Sequence, residues 1–369
     1  MAKTYRVGII GRTGKGNYGH GIDTVWKYIP RAEVVALADE DEKGRAEAVK
    51  KTGAPTSYAD YREMLGREKL DIVAVGPRWL DCHHEMVMAC AEHGCHIFME
   101  KPFARSLEEA DQMVQALEMR HLKLAIAHQT RWSPIVDTAK SIIASDVIGD
   151  VLEIRARGKE DGRGGSEDLW VLGSHLMDLM RALVGDAKNC SGEVTVKGKR
   201  ITKGDVIDGN EGIGPLAGDN VRATYQFDKG IIGYFSSRRN VAGTPSRFGL
   251  QVFGTKGIIE LVTGYLNPGY VLRDSSWSPG RSKRGWQQLT SAGIGKPEPL
   301  SGEGQEGGNA AAVNDLIDCI EKDRQPKCSA YDARATIEMI AAIFDSHRQQ
   351  KPVNLPLENR KNPLSMLEG

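Results

Sequence analysis

The chain has 369 residues, with 49 Lys and Arg balancing 49 Asp and Glu, so its formal net charge at pH 7 is zero. This balance argues against a broad electrostatic contact with nucleic acid or with an anionic membrane surface. Hydrophobic residues make up 40% and charged residues 27%, which excludes wholesale disorder. No segment approaches the run of about 18 apolar residues that spans a membrane, and the length predicts about two domains.

The first 127 residues alternate between short apolar runs and helical patterns. This alternation predicts βαβ units, and therefore an α/β domain with a doubly wound parallel sheet over residues 1–127. The predicted strands are Tyr5–Ile10, Glu33–Ala38, Asp71–Val75, His96–Met99 and Leu122–His128. The predicted helices are Ile22–Tyr28, Glu42–Lys51, Tyr58–Leu65, Asp81–His93 and Ser106–Leu122.

Residues 128–369 show a different pattern, in which successive strands are separated by short glycine-containing turns. Such turns favour an antiparallel sheet in a second α/β domain. The predicted strands are Val151–Lys159, Gly192–Val196, Asn220–Phe227, Gly230–Ser237, Phe248–Gly254 and Gly257–Val262. The predicted helices are Asp137–Ala144, Ser174–Val184, Asn309–Lys322 and Tyr331–Gln349. We expect a long loop over residues 263–308 and an extended tail from Lys351.

Four glycines cluster directly after the first predicted strand, at Gly11, Gly14, Gly16 and Gly19. The last three have the G-x-G-x-x-G spacing of a dinucleotide-binding loop, in which glycines let the backbone approach a pyrophosphate. The helix predicted to follow would offer its N-terminal N–H groups to the same phosphates. The alternative is a glycine-rich surface loop on an unrelated α/β domain.

Asp39 ends the second predicted strand and follows Gly19 by twenty residues. A carboxylate at this place accepts hydrogen bonds from the adenosine ribose hydroxyls of a bound dinucleotide. Glu40 and Asp41 add negative charge beside it, so a 2′-phosphate should be repelled and NAD favoured over NADP. Arg12 and Lys15 are the cations that could instead pair with such a phosphate.

The six cysteines contain no CxxC pair, and no Cys/His quartet has the spacing of zinc ligands, so no metal site is expected. Unpaired thiols are typical of a reducing compartment. The first residues run straight into a predicted strand and leave no room for a secretory signal, which favours a cytoplasmic location.

Glu100, Lys101 and Pro102 form a turn after the fourth predicted strand. In a doubly wound sheet, ligands bind outside the carboxyl ends of the strands, so a lysine here can meet a substrate above the nicotinamide. An ordinary surface turn is the alternative.

Several segments resemble the Gfo/Idh/MocA oxidoreductases, in the family's order and over nearly the whole chain. They are AEHGCHIFMEKPFARSLEEADQMV (91–114), GDVLEIRARG (149–158), LGSHLMDLMRALVGD (172–186) and DSHRQQKPVNLP (345–356). The resemblance implies a Rossmann domain that binds NAD, then an α/β domain over 128–369 with a large open, mostly antiparallel sheet. That sheet would carry the substrate and the interface of a homodimer or homotetramer.

The resemblance also assigns residues to a site. Lys101 matches the family's catalytic lysine, and His175 matches its histidine in the substrate domain. Besides the four glycines and Asp39, the residues implied to bind or flank the cofactor are Pro77, Trp79, His83, Glu100, Lys101 and Gln129.

One position departs from the family pattern. The family has Asp four residues before the histidine, whereas this chain has Val171. Glu167 or Asp168 could supply the missing carboxylate from just upstream. The predicted substrate contacts are four residues: Arg131, Glu167, Asp168 and Asp178.

The family implies an enzyme that moves a hydride from a secondary hydroxyl of a sugar, sugar derivative or cyclic polyol to NAD. His175 or Lys101 would take the hydroxyl proton, and Lys101 would stabilise charge on the carbinol oxygen. A second interpretation is redox-neutral cleavage of a glycoside through a transient keto intermediate. A third is a dinucleotide-binding sensor without turnover. The expected partner is a small molecule, with no nucleic acid and no membrane.

Overall fold

The computed structural model describes residues 3–301 and 305–368. The chain folds into two compact units, the first of which contains residues up to Gln129 together with Asn210–Gly214 and Gln305–Ile337. The second contains the remaining described residues. Two later segments therefore fold with the N-terminal residues, whereas the predicted functional domains divide at 127/128.

The first unit is built on a six-stranded parallel sheet of order β3-β2-β1-β4-β5-β6. Its strands are β1 (Tyr5–Ile10), β2 (Ala32–Ala38), β3 (Thr56–Tyr58), β4 (Ile72–Val75), β5 (His96–Met99) and β6 (Leu124–Ile126). The central strand β4 is buried at every residue, as expected where helices cover both faces of a parallel sheet. This strand order is that of the Rossmann fold.

Four helices connect these strands, and three of them begin at a side-chain cap. They are α1 (Glu42–Thr52), α2 (Tyr61–Arg67), α3 (His83–Glu92) and α4 (Leu107–Glu118). The carboxylate of Asp41 accepts the Gly44 N–H at 2.7 Å at the start of α1. Asp60 and Ser106 cap α2 and α4 in the same way, because their side-chain oxygens satisfy N–H groups that have no partner within the helix.

The helix predicted after β1 is not formed. Turns follow the strand, and only a 3-10 helix of four residues, Val25–Tyr28, precedes β2. Gly19 and Gly21 have φ of +65° and +78°, which an α-helix cannot contain. The helix predicted over 58–65 was likewise wrong at its start, because Thr56–Tyr58 is strand β3 and the helix begins only after Asp60.

The second unit carries an eleven-stranded mixed sheet. Its strands are β7 (Val151–Arg157), β8 (Asn189–Val196), β9 (Lys199–Arg200), β12 (Asn220–Gln226), β13 (Ile232–Arg238), β14 (Gly249–Gly254), β15 (Gly257–Val262), β16 (Gly269–Leu272), β17 (Gln287–Thr290), β18 (Gly293–Ile294) and β19 (Val353–Asn354). Strands β10 (Ile207–Gly209) and β11 (Gly214–Leu216) pair separately. The β7–β13 pair is parallel and the other pairs of the large sheet are antiparallel, so the predicted α/β fold class is confirmed.

The described residues also form six further α-helices. They are α5 (Pro134–Ala144), α6 (Ser166–Val171), α7 (Gly173–Val184), α8 (Pro279–Ser282), α9 (Gln305–Glu321) and α10 (Ala330–Gln349). Helix α7 buries Leu176, Leu179 and Met180, and a Cβ on Gly233 of β13 would lie 2.7 Å from the end of Met180. The opposite face of the sheet carries ion pairs between neighbouring strands, such as Arg222 to Glu193, and exposed apolar side chains such as Ile232.

Two stretches are more regular than the sequence predicted. The expected loop over 263–308 contains β16, α8, β17 and β18 and reaches the start of α9, while residues 302–304 lie outside the described part. The tail pairs with β8 through Val353 and Asn354. Across residues 3–301 and 305–368, no helix combines the length and apolar character that a membrane crossing requires.

Candidate functional site

The glycine-rich segment after β1 folds back on itself. The Arg12 N–H donates to the Asn17 carbonyl oxygen at 3.0 Å, and the Asn17 N–H donates to the Arg12 carbonyl oxygen at 2.9 Å. The Gly14 N–H donates to Oδ1 of Asn17 at 2.9 Å. The loop is therefore a small closed hairpin that is not followed by an α-helix.

Two of the predicted glycines are explained by packing inside the first unit. A Cβ on Gly16 would lie 2.3 Å from the backbone nitrogen of Arg78, and one on Gly19 would lie 2.5 Å from the carbonyl oxygen of Gly76. Gly11 is similarly covered by the ring of Tyr18. Only Gly14 of the four predicted glycines has open space beside it, with no described atom within 4 Å of a Cβ.

A cavity of about 420 Å³ opens at the carboxyl ends of β1 and β2. Its lining includes Gly11, Arg12, Asp39, Glu40, Tyr61 and Glu85. The Tyr61 hydroxyl is buried and has no hydrogen-bond partner among the described residues. Carboxylates and an unpaired hydroxyl suit a ligand with several hydroxyl groups, so this pocket fits the adenosine half of NAD.

Asp39 lies where the sequence predicts it, but its carboxylate is already engaged. It accepts the Thr13 hydroxyl at 2.6 Å, the Thr13 N–H at 3.1 and 3.2 Å, and the Asp41 N–H at 3.0 Å. Asp39 is only 1% exposed. In this arrangement it holds the glycine-rich loop to the start of α1.

The Glu100-Lys101-Pro102 turn follows β5, with all three residues buried. The Glu100 carboxylate accepts the Lys101 N–H at 2.7 Å and the His20 N–H at 3.0 Å, and it contacts Nδ1 of His20. Burial would raise the pKa of Glu100, but the hydrogen bond from His20 and the charge of Lys101 outweigh burial and lower it to about 2. Glu100 is therefore an anion beside Lys101.

His20 is a residue of this site that the sequence analysis missed. Asn309 of α9 donates to the His20 carbonyl oxygen at 2.8 Å and accepts from the Gln129 side chain at 3.1 Å. A chain of hydrogen bonds thus runs from Gln129 through Asn309 and His20 to Glu100. The signal available in the sequence was a histidine between two glycines, Gly19 and Gly21.

His83 connects the two loops that follow β4 and β5. It is fully buried, with Nε2 2.7 Å from the Pro77 carbonyl oxygen and Nδ1 2.8 Å from the Pro102 carbonyl oxygen. Pro77 is also buried and Trp79 is half-buried. Because both ring nitrogens of His83 face backbone carbonyls, the ring fixes these loops and offers no further nitrogen to a cofactor.

His175 lies in the first turn of α7 and is half-buried. Helix α6, which the sequence analysis missed, ends at Val171 just before it, and Val171 is buried. The second unit therefore presents His175 from a helix start, with an apolar side chain where the family pattern has a carboxylate.

Asp168 does not supply the missing carboxylate. Its Oδ2 accepts the Ser237 hydroxyl at 2.5 Å and the Glu160 N–H at 3.1 Å, while its Oδ1 has no hydrogen-bond partner among the described residues. Burial raises the pKa of Asp168. No hydrogen bond joins it to His175, so the structure does not support the interpretation that Asp168 orients the histidine.

Of the other predicted substrate contacts, Glu167 and Asp178 are buried and Arg131 is half-buried. Nη1 of Arg131 lies 3.2 Å from Oδ1 of Asp178 and donates to the Asp178 carbonyl oxygen at 2.9 Å. Glu167 is buried within α6. Arg131 and Asp178 thus form an internal ion pair that anchors α7 to the segment before α5.

Comparison with known proteins gives the family. The Gfo/Idh/MocA model described as an oxidoreductase family with an NAD-binding Rossmann fold matches residues 5–128. The model for the family's C-terminal alpha/beta domain matches residues 140–355.

Individual relatives are distant. Levoglucosan dehydrogenase of Pseudarthrobacter phenanthrenivorans is 28% identical over 256 residues, which are 63% of this chain and 65% of that protein. D-apiose dehydrogenase of Paraburkholderia graminis is 24% identical over 352 residues, covering 89% and 85% of the two chains. A solved structure of levoglucosan dehydrogenase with NADH and levoglucosan superposes with a TM-score of 0.76 at 22% identity, covering 96% of this chain and all of that chain, which shows the shared fold. The two family models together cover most of the sequence, and the chain belongs to the Gfo/Idh/MocA family of NAD-binding oxidoreductases.

Proposed function

We propose that the chain oxidises a secondary hydroxyl of a sugar, a sugar derivative or a cyclic polyol, with NAD as hydride acceptor. Family membership supports the reaction class, and the names of relatives that act on levoglucosan and on D-apiose support the substrate class. The observation in this chain that carries the proposal is the buried Lys101 beside the ionised Glu100 at the end of β5. Bound NAD would accept the hydride at its nicotinamide.

Each proposed residue has a separate task. Lys101, kept as an ammonium by the adjacent Glu100 anion, holds the carbinol oxygen and stabilises the negative charge that develops there. His175, half-buried at the start of α7, takes the hydroxyl proton. Pro77 and Trp79 border the nicotinamide, and His83 holds their loop to the Lys101 turn.

The cellular context belongs to the same proposal. All six cysteines are buried and none of them forms a disulfide bond, which supports a reducing, cytoplasmic compartment. The exposed face of the eleven-stranded sheet, opposite to α7, is proposed to bind other copies of the chain in a dimer or tetramer. Light scattering on a size-exclusion column measures that state, and a monomer at micromolar concentration would contradict it.

A substrate panel tests the proposed reaction. Anhydrosugars, pentoses, hexoses and inositols are supplied with NAD, and NADH formation is followed by absorbance. We expect turnover with at least one member and a loss of about 100-fold or more in kcat for K101A, because the lysine acts on the developing charge. The control is K69A, since Lys69 is an exposed lysine of the same unit. Equal rates for K101A and K69A would contradict the assignment of Lys101.

A further inference from the structure

The residue that distinguishes NAD from NADP is expected at the end of the second strand, because the 2′-position of the adenosine ribose lies there. Asp39 occupies that position in the sequence. Its two oxygens, however, accept hydrogen bonds from three donors: the Thr13 hydroxyl, the Thr13 N–H, which both oxygens share, and the Asp41 N–H. These donors occupy most of the roughly four lone-pair positions of a carboxylate, and Asp39 is only 1% exposed, so the loop and not a ribose hydroxyl takes its oxygens.

Thr13 cannot easily release Asp39. A Cβ on Gly44 would lie 1.9 Å from the Thr13 hydroxyl oxygen, so this side chain is enclosed between Asp39 and the first turn of α1. Asp39 is also 1% exposed, and breaking these bonds would leave a buried charge without partners. Its role in the described structure is to hold the loop.

Glu40 has the properties that Asp39 lacks. It lines the same 420 Å³ cavity, and its side chain is 65% exposed. Of the other acidic residues around this cavity, Asp60 caps α2 by accepting the Arg62 N–H at 2.8 Å, and Glu85 pairs with the Arg62 guanidinium at 3.0 Å. Glu40 is thus the carboxylate that adjoins the end of β2 and remains accessible to a ligand in the cavity.

Arg12 lies against Glu40 from the glycine-rich loop. Its Nε is 3.6 Å from Oε1 of Glu40, and its Nη1 is 2.9 Å from Oδ2 of Asp81. Two carboxylates therefore neutralise the guanidinium, which would otherwise be a good partner for a phosphate. Removing Glu40 would release one side of Arg12 and would take away a charge that repels the 2′-phosphate.

We propose that Glu40, and not Asp39, sets a preference of this chain for NAD over NADP, with Arg12 as the cation that Glu40 withholds from the 2′-phosphate. This inference deepens the NAD-binding assignment of the family and does not depend on the identity of the substrate.

The test measures the dissociation constants of NADH and NADPH by nucleotide fluorescence, without any turnover. We expect the wild-type protein to bind NADH more tightly. In E40Q the dissociation constant of NADPH divided by that of NADH should fall about tenfold or more. Two changes lower this ratio: the repulsion of the 2′-phosphate is removed, and Arg12 is released. Adding R12Q to E40Q should abolish the gain in NADPH affinity.

Three variants provide the comparison. E47Q removes the same charge from an exposed position of α1 outside the cavity lining and should leave the ratio unchanged. D39N should lower the melting temperature and should weaken the binding of NADH and of NADPH by similar factors. T13V should have the same effects to a smaller extent. An unchanged ratio in E40Q, or a ratio in D39N that falls as far as expected for E40Q, would overturn the proposal. Because the E40Q ratio decides the question, a D39N protein that fails to fold leaves the test intact. Failure of the wild type to bind either nucleotide would instead contradict the NAD assignment itself.

Discussion

Three nitrogen atoms converge on the buried carboxylate of Glu100: the backbone amides of His20 and Lys101 and the imidazole Nδ1 of His20. The carboxylate is held as an anion by these groups, and an anion at this place favours the ammonium form of the adjacent Lys101. His20 therefore acts on the proposed chemistry through Glu100, as a positioning residue.

Replacing His20 tests this role. We expect H20A to lower kcat by about tenfold or more, with a small effect on the KM for NAD, because small misplacement of a catalytic group is costly for the chemical step. H20Q should recover much of the loss, since its amide can donate to Glu100. Steady-state kinetics with the substrate found in the panel measures kcat and the KM for NAD in both variants.

The control is H93A, which removes an exposed histidine from the end of α3 whose Nδ1 contacts only the Ala89 carbonyl oxygen of its own helix. H93A should match the wild type. A normal kcat in H20A, or a loss that H20Q does not recover, would show that His20 has no positioning role.

The sequence predicts a role for Lys101 because a family motif surrounds it, whereas no such motif surrounds His20. Its partners Glu100 and Asn309 are 80 and 289 residues away along the chain. Asp39 illustrates the opposite case: its position was predicted, but the hydrogen bonds from Thr13 depend on how the loop folds, which spacing does not reveal.

At the scale of elements, the glycine-rich loop is held by its packing against the segment after β4. Gly14 and Gly16 both have positive φ, +81° and +93°, so alanine is strained at either position by about 1–2 kcal/mol. Only Gly16 also has a backbone atom within 2.3 Å of a Cβ.

We therefore expect G16A to destabilise the protein by about 1–3 kcal/mol more than G14A, because the loop must move away from Arg78. Urea unfolding of the two variants measures the difference directly. G14A is the control, because it introduces the same kind of backbone strain without the close contact to Arg78. Equal losses would show that the contact with the segment after β4 is unimportant.

Strand β5 begins with a histidine that should make stability depend on pH. Burial and the charge of Lys123 lower the pKa of His96 from 6.5 to about 4, and its Nδ1 accepts the Lys123 N–H at 3.0 Å. The unfolded chain binds a proton at His96 more readily than the folded one, so this contribution is present above pH 6.5 and is lost as pH falls towards 4.

The expected loss between pH 7 and pH 4 is about 3 kcal/mol greater in the wild type than in H96N, which has no titrating ring. Urea unfolding across this pH range measures both curves. Parallel curves for the two proteins would show that His96 is not held in its neutral form.

Five of the six strands of the parallel sheet were predictable because each is a short apolar run between polar turns, as in β1 and β5. Strand β3 was not predicted, because its sequence Thr-Ser-Tyr is neither apolar nor buried. The missing helix after β1 was not predictable from the apolar residues of 22–28. The positive φ angles of Gly19 and Gly21 decided against it, and Gly19 also lies against Gly76 and Glu100, distant residues that follow β4 and β5. The helix predicted from Ser106 is α4, and its cap is formed by the Ser106 side chain, which accepts the Glu109 N–H, while the Glu109 carboxylate accepts the Arg105 N–H.

At the scale of the whole molecule, the chain builds two units that are not continuous in sequence. Helix α9 returns to the first unit, where Arg31 pairs with Asp318 at 2.7 Å and with Glu321 at 3.2 Å. Helix α10 begins in the first unit and continues into the second after Ile337. These ion pairs join residues almost 300 positions apart in the sequence. The local periodicity of apolar residues therefore cannot predict them.

The most direct test of the central claim follows the hydrogen itself. A substrate from the panel, labelled with deuterium at the carbinol carbon, is mixed with the protein and NAD. The mass of the released nucleotide is then measured by mass spectrometry. The account predicts that deuterium appears in the reduced nicotinamide of the wild type and that K101A forms little of it. Product formed while the deuterium passes to the solvent, with none in the nucleotide, would contradict hydride transfer to NAD.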